Sequence, residues 1–142
     1  MKSVAIILIT TITLASCKMN DTKTSQDRQN KILGDTANFT SITWLDSTFH
    51  DMGKIKEGEV IDVAFRFKNS GNKNLVITDV SASCGCTVPE KPSEPYAPGQ
   101  EGVIRAKFNS ANKQGVNNKN IFVTANTNPN YQELTFRVQV TN

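Results

Sequence analysis

The sequence predicts an all-β domain folded as an antiparallel β-sandwich, and three observations carry that expectation. Apolar and polar residues alternate with a period of two through most of the chain. The alternating runs are short and separated by clusters of Gly, Asn, Ser and Pro. No window places apolar residues at i, i+3, i+4 and i+7 in the manner of an amphipathic helix.

The elements follow in order. NFTSITWLD reads as a first strand carrying Trp44, the only tryptophan, on its core side. His50, in FHDMG, reads as a solvent-facing turn residue ahead of the next strand. In EVIDVAFRFKNSG, Ile61, Val63, Phe65 and Phe67 share one face, with Asp62, Arg66 and Lys68 opposite. Asn69-Ser70-Gly71-Asn72 then supplies turn chemistry, because glycine accepts positive φ and Asn and Ser bond their own backbone. NLVITDVSAS is rich in β-branched residues and reads as the next strand.

A long connection, TVPEKPSEPYAPGQ, follows. Pro89, Pro92, Pro95 and Pro98 stiffen it and remove N–H donors. Such a segment shields an edge strand or forms a binding surface, with Tyr96 capping the loop. GVIRAKF resumes the alternation, with Ile104, Ala106 and Phe108 inward. Asn117-Asn118 reads as a turn, NIFVTAN as a shorter strand, Asn128-Pro129-Asn130 as another turn, and ELTFRVQV as the closing strand. Six or seven short strands in about a hundred residues suit one sandwich with one core.

The stretch from Phe49 to Ser110 carries further marks: Asp51 and Gly53, Gly58, Asn69 and Gly71, Leu75 and Ile77, Ser83 to Thr87 as SCGCT, and Pro98-Gly99. This pattern resembles the bacterial domain-of-unknown-function family 1573, with Met52 standing where that family carries an aromatic residue. The resemblance spans 39–140. It implies an immunoglobulin-like sandwich of about seven strands, related to HYDIN, major sperm protein and PapD-type domains. Those relatives are mostly interaction modules, so the resemblance implies a protein partner and no defined chemistry.

Cys84-Gly85-Cys86 holds the only cysteine pair, and four readings of it stay open. A disulfide suits an oxidising compartment. Two residues in extended geometry nevertheless span about 6.6–7 Å between Cα atoms, at the upper limit for a bridge, and Gly85 would have to relax the backbone. A metal site would use both thiolates on a soft ion such as copper or zinc, with His50 or Met52 as a third donor. Two small cysteines packed as hydrophobes are the plainest reading. A catalytic thiol paired with His50 lacks an orienting group.

The amino end bears on location. Lys2 precedes the apolar run Val4 to Ala15. Such a run is an export signal and is too short to span a bilayer, which takes about twenty residues. Leu14-Ala15-Ser16-Cys17 resembles the lipobox of bacterial lipoproteins, which implies cleavage after Ser16 and a lipid on Cys17. Two or more acyl chains anchor stably to a membrane. Residues 18–38 are polar and without periodicity, the composition of a flexible tether with a reach on the order of 25 Å. Asp35-Thr36-Ala37 and Asp46-Ser47-Thr48 resemble a three-residue O-glycosylation sequon.

The expected organisation is therefore a signal peptide over 1–16, a lipidated Cys17 and tether over 17–38, and a sandwich over 39–142. The formal charge of +3 comes from scattered basic residues, without the stripe that nucleic-acid binding requires. No base, nucleophile and oxyanion donors converge in the pattern, so no enzyme is expected. The sequence points to an exported lipoprotein on the periplasmic or outer-surface face of a bacterial envelope. It would act as a binding or scaffolding module with no cofactor beyond its covalent lipid. The alternative is a thiol redox or metal-handling protein working through Cys84 and Cys86.

Overall fold

The computed structural model describes Asp27, Lys31 and residues 33–142. A short 3-10 turn at Thr36–Asn38 is capped by Asp35, whose carboxylate accepts the Ala37 N–H at 3.1 Å and the Asn38 side-chain amide at 2.7 Å. Eight strands follow: β1 (Ile42–Trp44), β2 (Phe49–Lys56), β3 (Val60–Asn69), β4 (Ile77–Ala82), β5 (Thr87–Glu90), β6 (Glu101–Asn109), β7 (Gly115–Ala125) and β8 (Tyr131–Thr141). They form two four-stranded sheets, ordered β1-β3-β6-β5 and β2-β8-β7-β4.

The first order is the A-B-E-D sheet of an immunoglobulin-type sandwich, and β4-β7-β8 is its C-F-G partner. β2 is an addition: after β1 the chain crosses to the second sheet and runs parallel to β8. All other strand pairs are antiparallel.

Alternation builds the core as the sequence reading expects. Val63, Phe65 and Phe67 of β3 and Ile104, Ala106 and Phe108 of β6 are fully buried, facing Ile121, Val123, Leu134, Phe136 and Val138. Phe108 and Phe136 meet edge to face across the gap, centroids 5.7 Å apart, a favoured aromatic geometry. Trp44 packs edge-on against Phe67 at 5.7 Å.

Three local expectations are corrected. FHDMG is not a turn: it opens β2, where His50 is half-buried and stacks on Phe65 with ring centroids 4.3 Å apart. A register shift between Asp51 and Lys54 breaks the alternation, so Ile55 returns inward one residue out of phase. Asn117-Asn118 lies inside β7, paired with Val138 and Arg137. The proline-rich connection begins as a strand, β5, antiparallel to β6.

One residue organises an entire pole of the sandwich. Asn69, at the end of β3, is fully buried. Its side-chain oxygen accepts from Thr40 Oγ1 at 2.9 Å and from the Gly71 N–H at 3.2 Å. Its amide nitrogen donates to the carbonyls of Lys73 at 2.7 Å and Tyr96 at 2.8 Å. The Asn69 backbone N–H donates to Gln100 O, and its carbonyl accepts from Gly99. All four side-chain hydrogen-bond positions of the amide are thus filled. Gly71 is required beside it, because an added Cβ would collide with Thr40 Oγ1 and stand 2.5 Å from the Ser41 nitrogen.

Asn126 acts similarly from the second sheet. It accepts from Val76 N at 2.7 Å and donates to Asn38 O at 2.7 Å and Asn74 O at 2.9 Å. Tyr96 lies T-shaped on Phe67 at 4.9 Å and occupies space that a side chain at Gly102 would fill. Its burial pushes the phenol pKa up. The Asn-x-Gly and Pro-Gly marks are therefore parts of one polar hub closing the end of the core.

Candidate functional site

The Cys84–Cys86 corner lies where the chain leaves the edge of one sheet and enters the edge of the other, between β4 and β5. Four residues, 83–86, make that crossing. Backbone bonds fix it: Ser83 N–H to Asn120 O at 3.0 Å, Thr87 N–H to Cys84 O at 3.1 Å, and Asn109 N–H to Cys86 O at 2.9 Å. The Ser83 hydroxyl accepts the Asn120 N–H at 3.2 Å.

Within this turn the two sulfurs are 2.06 Å apart, a bonded distance, and the Cα atoms 5.3 Å apart. The segment is therefore folded rather than extended, which brings the Cα separation within the usual disulfide range. Gly85 takes no left-handed φ. It is exposed, and apart from the two cysteines that flank it nothing stands within 4 Å of where a Cβ would be. Both cysteines are half-buried, and Cys86 packs against the core. Thr87 is buried, and its hydroxyl stands 3.8 Å from Cys84 Sγ.

A ring closed over three residues restrains little of the unfolded chain. Chain-entropy reasoning gives about 1.6 kcal/mol, against about 3 kcal/mol for a fifteen-residue loop. The backbone bonds at the corner, each worth about 1 kcal/mol net, hold it at least as firmly as the bridge.

His50 is not brought to this corner. It lies on β2, at the opposite edge of its sheet from β4 with β8 and β7 between, which is about 14 Å at ordinary strand spacing. Met52 shares that strand. Among the described residues no group of three or more His, Cys, Asp or Glu is placed to hold a metal ion. Cys17 lies outside the described residues. Of the two sequon-like triplets, Thr36 is exposed, and the Ser47 hydroxyl accepts the Phe49 N–H at 3.1 Å. Asp46 is bound twice over by Arg66, through its guanidinium at 2.7 Å and its backbone N–H at 3.0 Å. Hydrogen bonding to that guanidinium holds the Asp46 carboxyl down at about 2.

The four sheet edges differ from one another. β1 has only three residues. The β2 edge carries the register shift together with Lys54 and Lys56. On β5, the Asn109–Cys86 bond sets the ladder phase, so Val88 and Glu90 bond toward β6 and Pro89 faces away. Short strands, bulges, lysines and outward prolines are the usual devices that blunt an edge. β4 has none of them beyond its first residues: the ladder directs the backbone groups of Val80 and Ala82 away from β7, with no proline or lysine among Ile77–Ala82. Sequence reasoning missed this contrast because it depends on hydrogen-bond phase, although Pro89 was visible as an edge signal.

Fold and corner together define an immunoglobulin-type sandwich with a short bridge at one crossover. The chain belongs to the family described as "Protein of unknown function (DUF1573)", which matches residues 42–140. Among solved structures, it is similar to a protein of unknown function from Porphyromonas gingivalis W83, at 18% identity and a TM-score of 0.63, over 74% of this chain and 49% of that one. It is also similar to the ASH/PapD-like domain 7 of human CEP192, at 9% identity and a TM-score of 0.60, over 74% of this chain and 88% of that one. The chain thus spans about half the length of the Porphyromonas protein. At these identities the likeness establishes the fold alone. No curated protein matches the chain.

Proposed function

We propose that this protein is an exported, lipid-anchored binding module of the bacterial cell envelope, held by acylated Cys17 and engaging an extended segment of a partner protein along β4. The observation that carries the reading is the contrast between edges: three are blunted, while β4 offers the outward backbone groups of Val80 and Ala82. An added strand gains main-chain hydrogen bonds for affinity and side-chain pockets for specificity. The exposed Asp79 and Ser81 would flank that strand on its outer side, favouring a partner segment with a basic residue opposite Asp79.

Anchoring and binding fit together physically. A tether of about twenty residues would let the sandwich reach on the order of 25 Å from a membrane surface. The apolar run Val4 to Ala15 falls short of the about twenty residues needed to span a bilayer, so a covalent lipid on Cys17 is the attachment proposed.

The test is site-specific photo-crosslinking in cells, with the probe at Ser81 beside the β4 edge and, as control, at Arg105 on the other sheet. A discrete adduct from Ser81 alone, lost in Ala82→Pro, supports the reading. The proline removes an N–H that points away from β7 and that no strand among the described residues uses. Equal adducts from both positions, or an adduct that survives Ala82→Pro, would reject strand addition at β4.

A further inference from the structure

We propose that Cys84–Cys86 is a thiol-exchange site, reduced and re-formed through Cys84 by the dithiol of another exported protein while the sandwich stays folded. The proposal rests on the export argued above, since a bridge persists only in an oxidising compartment. Three features of the corner carry it. The turn is held by backbone bonds from Ser83, Thr87 and Asn109 that do not involve the sulfurs, so opening the bridge leaves the crossover in place. Gly85 is exposed, and beyond the two cysteines that flank it nothing stands within 4 Å of where a side chain would begin, so the outer side of the turn is open. The buried Thr87 hydroxyl has Cys84 Sγ as its hydrogen-bonding neighbour, at 3.8 Å.

These features distinguish the two sulfurs. Exchange requires a thiolate to approach along the S–S axis, from behind the sulfur attacked. Cys86 packs against the core while Cys84 does not, so Cys84 is taken as the sulfur attacked. The partner thiolate attacks Cys84 Sγ, the Cys84–Cys86 bond breaks, and its electron pair passes to Cys86 Sγ, which takes up a proton. The second thiol of the partner loses its proton and displaces Cys84, whose thiolate takes up that proton, leaving the partner oxidised and this protein with two thiols. Two electrons and two protons have moved. In the reverse direction Cys84 is the nucleophile, and a hydrogen bond donated by Thr87 favours its thiolate. Cys86, against apolar surroundings, resolves the mixed disulfide.

The experiment uses the full-length chain in detergent, reduced with dithiothreitol in native buffer, with the fold followed by near-ultraviolet circular dichroism. The expected result is an unchanged spectrum, alkylation of both cysteines without denaturant, and labelling of Cys84 at least tenfold faster than Cys86 by peptide mass. Cys86→Ser should form a mixed disulfide with oxidised glutathione at Cys84. In that background Thr87→Val should move the pH midpoint of Cys84 labelling upward, with Thr87→Ser restoring it. Reduction only after unfolding, loss of the spectrum on reduction, or equal or reversed labelling would overturn the proposal. None of these readouts depends on export, which is read separately from the lipid on Cys17, and the wild-type labelling order stands even if a serine variant fails to fold.

Discussion

Asn69 and Gly71 carry more of the structure than their appearance as turn residues suggests. A buried amide that fills all four of its hydrogen-bond positions leaves several groups stranded when removed. Asn69→Ala is expected to lower unfolding free energy by about 3–4 kcal/mol in urea titrations, a large part of a small domain's stability. Gly71→Ala should be comparably damaging, since its methyl meets Thr40 and the Ser41 backbone. The paired substitution Cys84→Ser with Cys86→Ser should lower stability by only about 1–2 kcal/mol, because the ring it opens is small. Asp46 supplies a pH signature. Arg66 holds its folded pKa at about 2, below the ordinary 3.8. Its stabilising share is therefore complete above about pH 4 and lost as pH falls toward 2. Wild type and Asp46→Asn should accordingly converge in urea midpoint over that window. At this scale the sequence was only partly legible. Cys84 and Cys86 stood out, but the bonds from Asn69 to Thr40 and Tyr96 span 29 and 27 residues and leave no local pattern.

Among the elements, strands with unbroken alternation were readable along their length, whereas β2 and the first half of β7 were not. β3, β6 and β8 keep the period of two from end to end. β2 loses it at the Asp51–Lys54 shift, and β7 begins with Val116, Asn117 and Asn118, where pairing to β8 rather than burial maintains the strand. Propensity points to a turn there, and the long β8 partner overrides it. The edges make a prediction of their own. Pro89 faces outward on β5 beside Val88, which is 60% exposed. Pro89→Val restores an N–H on that edge and adds a β-branched residue. The variant should remain folded yet self-associate with concentration in sedimentation velocity, whereas the wild type should not.

As a whole molecule, the chain is an immunoglobulin-type sandwich whose family membership and fold agree with what the alternation and the SCGCT and Pro-Gly marks indicate. The architecture was legible because a half-buried strand writes its two faces into the sequence. The parallel β2–β8 pair was not, because crossing between sheets is decided by tertiary packing. Location underlies the rest of the account: a partner met along β4 and a bridge exchanged at Cys84 both presuppose export. The most direct measurement is the intact mass of the mature protein extracted from cell membranes. The account predicts a chain beginning at Cys17 with two or three acyl chains attached, partitioning into detergent. A chain still beginning at Met1, recovered without lipid from the soluble fraction, would contradict it.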